Sequence, residues 1–177
     1  MDRKIISVAV AGADGYVGRA LCGALSQDPQ IGLTQVTRAN NEQMRQGRYQ
    51  ILINAAMPSK RFWAKSHAEE DFKETVQKTA DFLYRWNYEK FVQISSVSAR
   101  CELSAVYGRH KAAAEKICGK ENLIVRLSSM YDERLSKGVL MDILSGTVNS
   151  YTEGDLRLSL FALERTAKVF GAAIIPG

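Results

Sequence analysis

The stretch "KIISVAVAGADGYVGRALCGALSQ", residues 4–27, decides the fold. Its first half is a continuous apolar run rich in β-branched residues, as a strand covered on both faces requires. Its second half carries Val17, Leu21, Ala24 and Leu25 at helical spacing and ends at "DPQ", residues 28–30. Between the halves lie Gly12, Gly15 and Gly18. A strand that turns into a helix through glycines can turn tightly, bring its backbone close to a pyrophosphate and pack the helix near the strand. The helix N-terminus then offers N–H groups and a partial positive charge to the phosphates. Asp14, Tyr16 and Val17, interleaved with these glycines, complete a candidate cofactor-binding turn. The same run after "MDRK" imitates a secretory signal, but the glycines that follow it suit the strand.

Working outward, strands and helices alternate. "GLTQVTR" (32–38) reads as a second strand, followed by the polar segment "ANNEQMRQGRY" (39–49) and a third strand, "QILINAA" (50–56). A long amphipathic helix is expected from about His67 to Trp86, with Phe72, Val76, Thr79, Phe82 and Leu83 on its apolar face. "KFVQISS" (90–96) is the fourth strand. "SAVYGRHKAAAEKICG" (104–119) is a helix with Gly119 as its C-cap, and "NLIVRLSSMY" (122–131) holds the fifth strand. Further on, "KGVLMDILSG" (137–146) reads as a short helix and "DLRLSLFALERTAKVFGAA" (155–173) as a strand leading into a helix or as mostly helix. This order predicts an α/β fold: a Rossmann-like, doubly wound parallel sheet with helices on both faces. Residues 1–177 are expected to form a single domain, with 132–177 as its C-terminal segment.

Composition narrows the function. The chain has 177 residues, 46% hydrophobic and 24% charged, with a net charge of +5. The basic residues are dispersed, which argues against nucleic acid as a partner. No stretch is long and apolar enough for a membrane span. The three cysteines, Cys22, Cys101 and Cys118, and the two histidines, His67 and His110, lack metal-ligand spacing, so no metal site is expected. Free thiols fit a reducing, cytoplasmic setting. Cys101 and Cys118 read as incidental thiols, and His110 as a surface residue. Phe62, Trp63, Tyr84, Trp86 and Tyr88 read as core and helix-packing residues.

Two positions carry the chemistry. An acidic residue at the end of the second strand would bind a ribose 2′-hydroxyl, but the chain has Arg38 there. A guanidinium suits a 2′-phosphate, which favours NADP over NAD. Further along, Tyr107 and Lys111 stand four apart on one helix, so they share a face. A phenol has an ordinary pKa near 10, too high for a general base at neutral pH, and a nearby ammonium lowers it. Ser95, Ser96 and Ser98 lie at the carboxyl end of a strand, where catalytic groups of open α/β sheets are expected.

"GADGYVG", "INAA", "FVQISSVSA", "YGRHK" and "IVRLSSMY" occur in this order, and together the chain resembles the short-chain dehydrogenase/reductase superfamily. The resemblance covers roughly residues 4–131 and is best to the extended branch of NAD(P)-dependent epimerases, dehydratases and reductases, many of which act on nucleotide sugars. It implies that Gly12, Gly15 and Gly18 form the pyrophosphate turn and that Asn54, Ala55 and Ala56 line the adenine and ribose side. It implies that Ser96 positions the substrate, with Ser98 the alternative. Tyr107 then acts as acid/base, while Lys111 binds the nicotinamide ribose and depresses the tyrosine pKa. The expected partner is a small-molecule substrate, with a nucleotide sugar as candidate, and a homodimer is expected by analogy.

The chain also departs from the extended branch. The stretch from Arg38 to Ile51 is short for a strand–helix unit, Ser96 and Tyr107 are only 11 residues apart, and 51 residues follow Arg126. The substrate lobe is therefore expected to be reduced. Two functions follow: an NAD(P)-dependent oxidoreductase or epimerase/dehydratase-type enzyme, or a non-catalytic NADP-binding sensor or interaction module.

Overall fold

The computed structural model describes residues 5–128, 130–131 and 161–162. Five parallel strands form the central sheet: β1 (Ile6–Ala11), β2 (Ile31–Val36), β3 (Arg48–Asn54), β4 (Asn87–Ser96) and β5 (Leu123–Leu127). Their order is β2-β1-β3-β4-β5. The chain passes from β2 to the far side of β1 through only a four-residue helix, α2 (Asn41–Met44). The shortness of that connection is what the sequence between Arg38 and Ile51 demanded. A doubly wound sheet of this order places its ligand crevice where the strand order reverses, above the carboxyl ends of β1 and β3.

The pleat sorts side chains between two cores. Val8, Val10, Ile51, Ile53, Val92 and Ile94 pack with Leu21, Cys22 and Leu25 of α1 (Tyr16–Leu25). Ala9, Ala11, Leu52 and Phe91 point the other way, toward Phe82 and Trp86. Residues one apart in a strand face opposite sides, so runs such as "SVAVA" serve both layers at once. The helix expected over His67–Trp86 is present as α4 (Ala68–Phe72), a π-helical turn (Lys73–Gln77) and α5 (Lys78–Arg85) in direct succession. The π turn rotates its face relative to uninterrupted α periodicity. Phe72 is consequently exposed, while Val76, Thr79 and Phe82 are buried as expected and Asp71 and Thr75 join them.

Two short helices that the sequence pattern did not reveal flank the crevice: α3 (Arg61–Ser66) and α6 (Ser98–Cys101). The final helix on this side, α7 (Val106–Ile117), is capped by Cys118, one residue before the expected Gly119, which follows in the left-handed region with φ +72°. A two-stranded parallel pair, β6 (Met130–Tyr131) with β7 (Phe161–Ala162), follows. Apart from this pair, the segment 132–177 and the helices expected within it lie outside the described residues. Among the described residues, no helix is long and apolar enough to cross a membrane.

Candidate functional site

The glycine turn is held against the sheet by backbone hydrogen bonds. The N–H groups of Gly12 and Ala13 donate to the Val36 carbonyl at 2.9 and 3.1 Å, and that of Ala55 donates to the Ala11 carbonyl at 2.9 Å. Gly12 has φ +77°, and a Cβ there would lie 2.7 Å from the Ala55 carbonyl oxygen and from Ala56 Cα. At Gly18 a Cβ would sit 2.0 Å from the Gly12 carbonyl oxygen. Gly12 thus lets the turn press on the end of β3, and Gly18 lets α1 press on the turn. Gly15 is the N-cap of α1, with no side-chain cap, and the first helical bond runs from Arg19 N–H to the Gly15 carbonyl at 3.0 Å. The backbone N–H groups of the first turn, residues 16–18, therefore precede the hydrogen-bond ladder. That turn carries no acidic side chain, so nothing there offsets the positive end of the helix dipole. This cradle fits an anionic pyrophosphate.

The other predicted cofactor residues are placed differently from one another. Asp14 is exposed, Tyr16 is half-buried, and Val17 packs on the core beneath the turn. Arg38 lies two residues past β2, its side chain 86% exposed and 3.6 Å from a Glu74 carboxylate oxygen. The turn beneath it is fixed by Asn40, whose Oδ1 accepts from Thr37 N–H at 2.7 Å. Asn54 is fully buried; its amide donates to Gln93 Oε1 at 3.0 Å and its Oδ1 accepts from Ala56 N–H at 3.1 Å. Its side chain faces the core, so it shapes the Ala55–Ala56 strand end instead of projecting into the crevice.

Two strands along from β1, Ser96 ends β4 and Tyr107 and Lys111 stand on α7. Lys111 is 3% exposed and its Nζ lies 5.1 Å from the centre of the Tyr107 ring. Ser96 lies where its side chain acts on the Tyr107 phenol and favours the phenolate. The structure thus brings together the three residues proposed from sequence. Ser98, the alternative serine, is buried on α6, and its N–H donates to Ser96 Oγ at 3.2 Å. Gly108 makes this packing close: a Cβ there would fall 2.1 Å from the Glu102 carbonyl oxygen and 2.8 Å from that of Ser98.

The electrostatics correct one expectation. Burial desolvates the Tyr107 phenolate and raises the phenol above its ordinary value, against the opposing effect of Ser96. Burial also drives Lys111 down to about 7, with Asp71 pulling the other way. In this environment Lys111 does not depress the tyrosine pKa: desolvation acts on both groups and outweighs their partners.

Lys111 differs from the next buried charge on its own helix. Glu115, one turn on, is held by three bonds from Arg126, Nε to Oε1 at 2.9 Å and to Oε2 at 3.0 Å, and Nη2 to Oε2 at 2.7 Å. Lys111 has no hydrogen-bond or ion-pair partner among the described residues. A buried charge without a partner is costly, and such groups cluster where a ligand completes them. Ribose hydroxyls are acceptors of the kind that Lys111 Nζ lacks.

Several residues of this site escape a reading of the sequence. Asp71 is fully buried, as is Thr75. Asp71 Oδ2 accepts from His110 Nδ1 at 2.7 Å, so His110, expected on the surface, is instead half-buried on α7. Among the described residues, Asp71 Oδ1, Thr75 Oγ1 and Ser95 Oγ are buried without hydrogen-bond partners. Asp71, Thr75 and Thr79 recur every fourth residue, a polar stripe on a helix whose apolar members dominate the pattern. Arg61 acts on Tyr107 from α3 and pairs with Glu102 at 2.7 Å. Cys22 and Cys118 are buried, which pushes their thiols up to about 11 and about 12 and leaves them un-ionised at neutral pH. Cys101 is exposed and donates to the Val97 carbonyl at 3.2 Å. Phe62 and Tyr84, expected in packing roles, are exposed, whereas Trp86 is buried. Among the described residues no group of side chains could hold a metal ion.

No family model and no curated protein matches the sequence. Solved structures do match the fold. A UDP-glucose 4-epimerase from Thermotoga maritima, solved with UDP-glucose, superposes with a TM-score of 0.79 at 13% identity, over 97% of this chain and 74% of the epimerase. A UDP-glucuronic acid 4-epimerase from Bacillus cereus, in complex with NAD and a fluorinated UDP-sugar, gives 0.75 at 14% identity, over 96% and 73%. A dTDP-4-dehydrorhamnose reductase from Bacillus anthracis, in complex with NADP, gives 0.65 at 20% identity, over 83% and 62%. These neighbours are the extended-branch epimerases and reductases that the sequence resembles. The chain has their Rossmann-like parallel sheet and spans about two thirds to three quarters of their length.

Proposed function

We propose that this chain is a nicotinamide-nucleotide-dependent enzyme of the reductase or epimerase/dehydratase type, with a nucleotide sugar as its substrate class. The observation that carries this reading is the convergence of Ser96, Tyr107 and Lys111 at the carboxyl edge of the sheet, two strands from the glycine cradle. Two strand spacings are about 10 Å, so both features border one crevice. In this reading the residue 15–18 turn receives the pyrophosphate, and Lys111 binds the nicotinamide ribose. Arg38, extended into solvent past β2, takes the 2′-phosphate and so prefers NADP. The nicotinamide supplies hydride exchange with a carbinol or carbonyl carbon. Ser96 orients the reacting oxygen, and Tyr107 Oη donates or accepts its proton. The neutral phenol favoured by burial suits the direction in which a carbonyl is reduced and needs a proton.

The test is Tyr107→Phe. It removes the one group that moves the proton and keeps the ring beneath Lys111. Turnover of a UDP- or dTDP-sugar should fall by about 10²–10⁴-fold, while stabilisation by NADPH stays as in the wild type. Equal turnover in the two proteins would reject the assignment. NADPH binding with no turnover of any sugar nucleotide by the wild type would favour the cofactor-sensing alternative.

A further inference from the structure

We propose that Gln93, on β4, is a positioning residue that fixes the Ala55–Ala56 floor beneath the glycine turn and so sets how tightly the cradle holds its nucleotide. The effect on the nucleotide rests on the proposed function; the pinning of the floor does not. Asn54 and Gln93 are register partners on β3 and β4, so their side chains lie side by side on one face of the sheet. Leu52 and Phe91, two residues earlier on each strand, belong to the apolar core of that face. Asn54 and Gln93 are both fully buried in it. The Gln93 side chain reaches both residues that flank the floor. Its Oε1 accepts from Asn54 Nδ2 at 3.0 Å, and its Nε2 donates to Met57 Sδ at 3.2 Å. Asn54 Oδ1 in turn accepts from Ala56 N–H at 3.1 Å. One side chain from the neighbouring strand thus brackets Ala55 and Ala56 from both ends.

The floor matters because Gly12 rests on it. The place a Gly12 Cβ would take is only 2.7 Å from the Ala55 carbonyl oxygen and from Ala56 Cα, so the turn and the strand end have no slack between them. A shift of Ala55–Ala56 is passed to Gly12, whose carbonyl accepts from Gly15 N–H, the N-cap of α1, at 2.9 Å. Gln93, Asn54, Ala56, Gly12 and Gly15 therefore form one run of contacts that ends at the helix N-terminus. Thr79 supports Asn54 from α5: the Asn54 amide lies 3.4 Å from Thr79 Oγ1, which donates to the Thr75 carbonyl at 2.7 Å. Folding alone does not call for a glutamine here. Apolar groups of the same shape in place of a buried polar pair are close to neutral for stability. A thioether is a weak acceptor, so the bond to Asn54 is the stronger of the two ties.

The test is amide hydrogen exchange of the full chain, read residue by residue by NMR, beside the affinity for NADPH. Gln93→Met keeps the length of the side chain and removes both ties, whereas Gln93→Glu keeps an acceptor for Asn54. In Gln93→Met the Ala56 N–H should exchange roughly 3–10-fold faster than in the wild type, while Ala9 and Leu52 in the middle of the sheet keep their protection. NADPH should bind roughly 3–10-fold more weakly, and Gln93→Glu should recover most of both losses. Met57→Leu cuts only the weaker tie and leaves the buried pair in place, so it should show the same effect at Ala56 to a smaller degree. It keeps the test decisive if the Gln93 variants do not fold. Wild-type exchange at Ala56 in the folded variants would overturn the proposal, as would equal acceleration at Ala9, Leu52 and Ala56, which marks a general loss of stability. Faster exchange at Ala56 with unchanged NADPH affinity would also overturn it. If the wild type bound no NADPH, the proposed function would fall, while the exchange at Ala56 would still decide whether Gln93 fixes the floor.

Discussion

At the β1–α1 turn the crevice is walled by backbone, whereas over α7 it is walled by buried polar side chains. The first wall owes its shape to missing atoms: Gly12 and Gly18 lie where a Cβ would come within 2.7 and 2.0 Å of neighbouring backbone. It carries no acidic side chain in the first turn of α1 and works through N–H groups and the helix dipole. The second wall owes its character to atoms kept at a cost: Lys111, Asp71, Thr75 and Ser95 are all buried, and Asp71 Oδ1, Thr75 Oγ1 and Ser95 Oγ have no hydrogen-bond partner among the described residues. An anion can be received by geometry alone. Proton transfer needs titratable groups in a dry environment, and that wall must be less stable than an apolar one.

The contrast can be broken most severely at the glycines. Gly18→Ala sets a methyl 2.0 Å from the Gly12 carbonyl, a backbone atom that cannot rotate away. Overpacking of this kind costs about 1–3 kcal/mol or more, so the melting temperature should drop by roughly 5–10 °C. A melting curve unchanged from wild type would mean that the turn is looser than the account requires.

The second wall is tested by removing its cost. Lysine is ordinarily protonated up to about pH 10.4, but Lys111 in the folded chain titrates near 7. Between these values the unfolded chain binds more protons, so stability rises with pH across that window, and below it the full penalty of a buried ammonium is present. Lys111→Met should therefore stabilise the protein at pH 6–7, with a gain that shrinks as pH approaches 10. Thermal melts at several pH values check this. A gain that does not vary with pH would assign the effect to packing rather than charge.

Arg38 sharpens the comparison from the solvent side of the first wall. A charge-assisted bond is worth about 1.5–3 kcal/mol, so Arg38→Ala should weaken NADPH about 10–100-fold and leave NADH unchanged. Equal losses for the two nucleotides would give Arg38 no part in selectivity. The smallest effect is expected at Gly23, on the same helix as Gly18 but with nothing within 4 Å of the place a methyl would take. Gly23→Ala should stabilise the protein by about 0.5–1 kcal/mol, the opposite sign to Gly18→Ala, and thermal melts of the two variants side by side check this.

The two walls are also unequally legible in the sequence. A glycine spacing between an apolar run and a helical pattern states the backbone geometry almost directly, because only glycine tolerates Gly12's φ and Gly18's contacts. The five strands are legible from their apolar runs, and the shortened β2–β3 connection from its length. Tyr107, Lys111 and Ser96 stand out because their types and order carry chemical meaning. Asp71 and His110 do not, because their meaning lies in a contact across 39 residues, 2.7 Å long, which no local pattern encodes. The π turn hides them further: it swings Phe72 outward and Asp71 and Thr75 inward, against the α periodicity that defines the expected buried face. Lys111 behaves differently from the isolated-pair argument, because burial acts on it more strongly than its neighbours do.

The central claim is that the two walls border one nicotinamide-nucleotide site, and ligand-dependent melting of the full chain tests it most directly. NADPH, NADH and buffer alone are compared at nucleotide concentrations up to about 100 times the dissociation constant. The account predicts stabilisation by NADPH of about 2.7 kcal/mol, or roughly 5–10 °C, that exceeds the effect of NADH. A melting temperature that neither nucleotide moves would contradict it, and the glycine turn would then be a turn and nothing more.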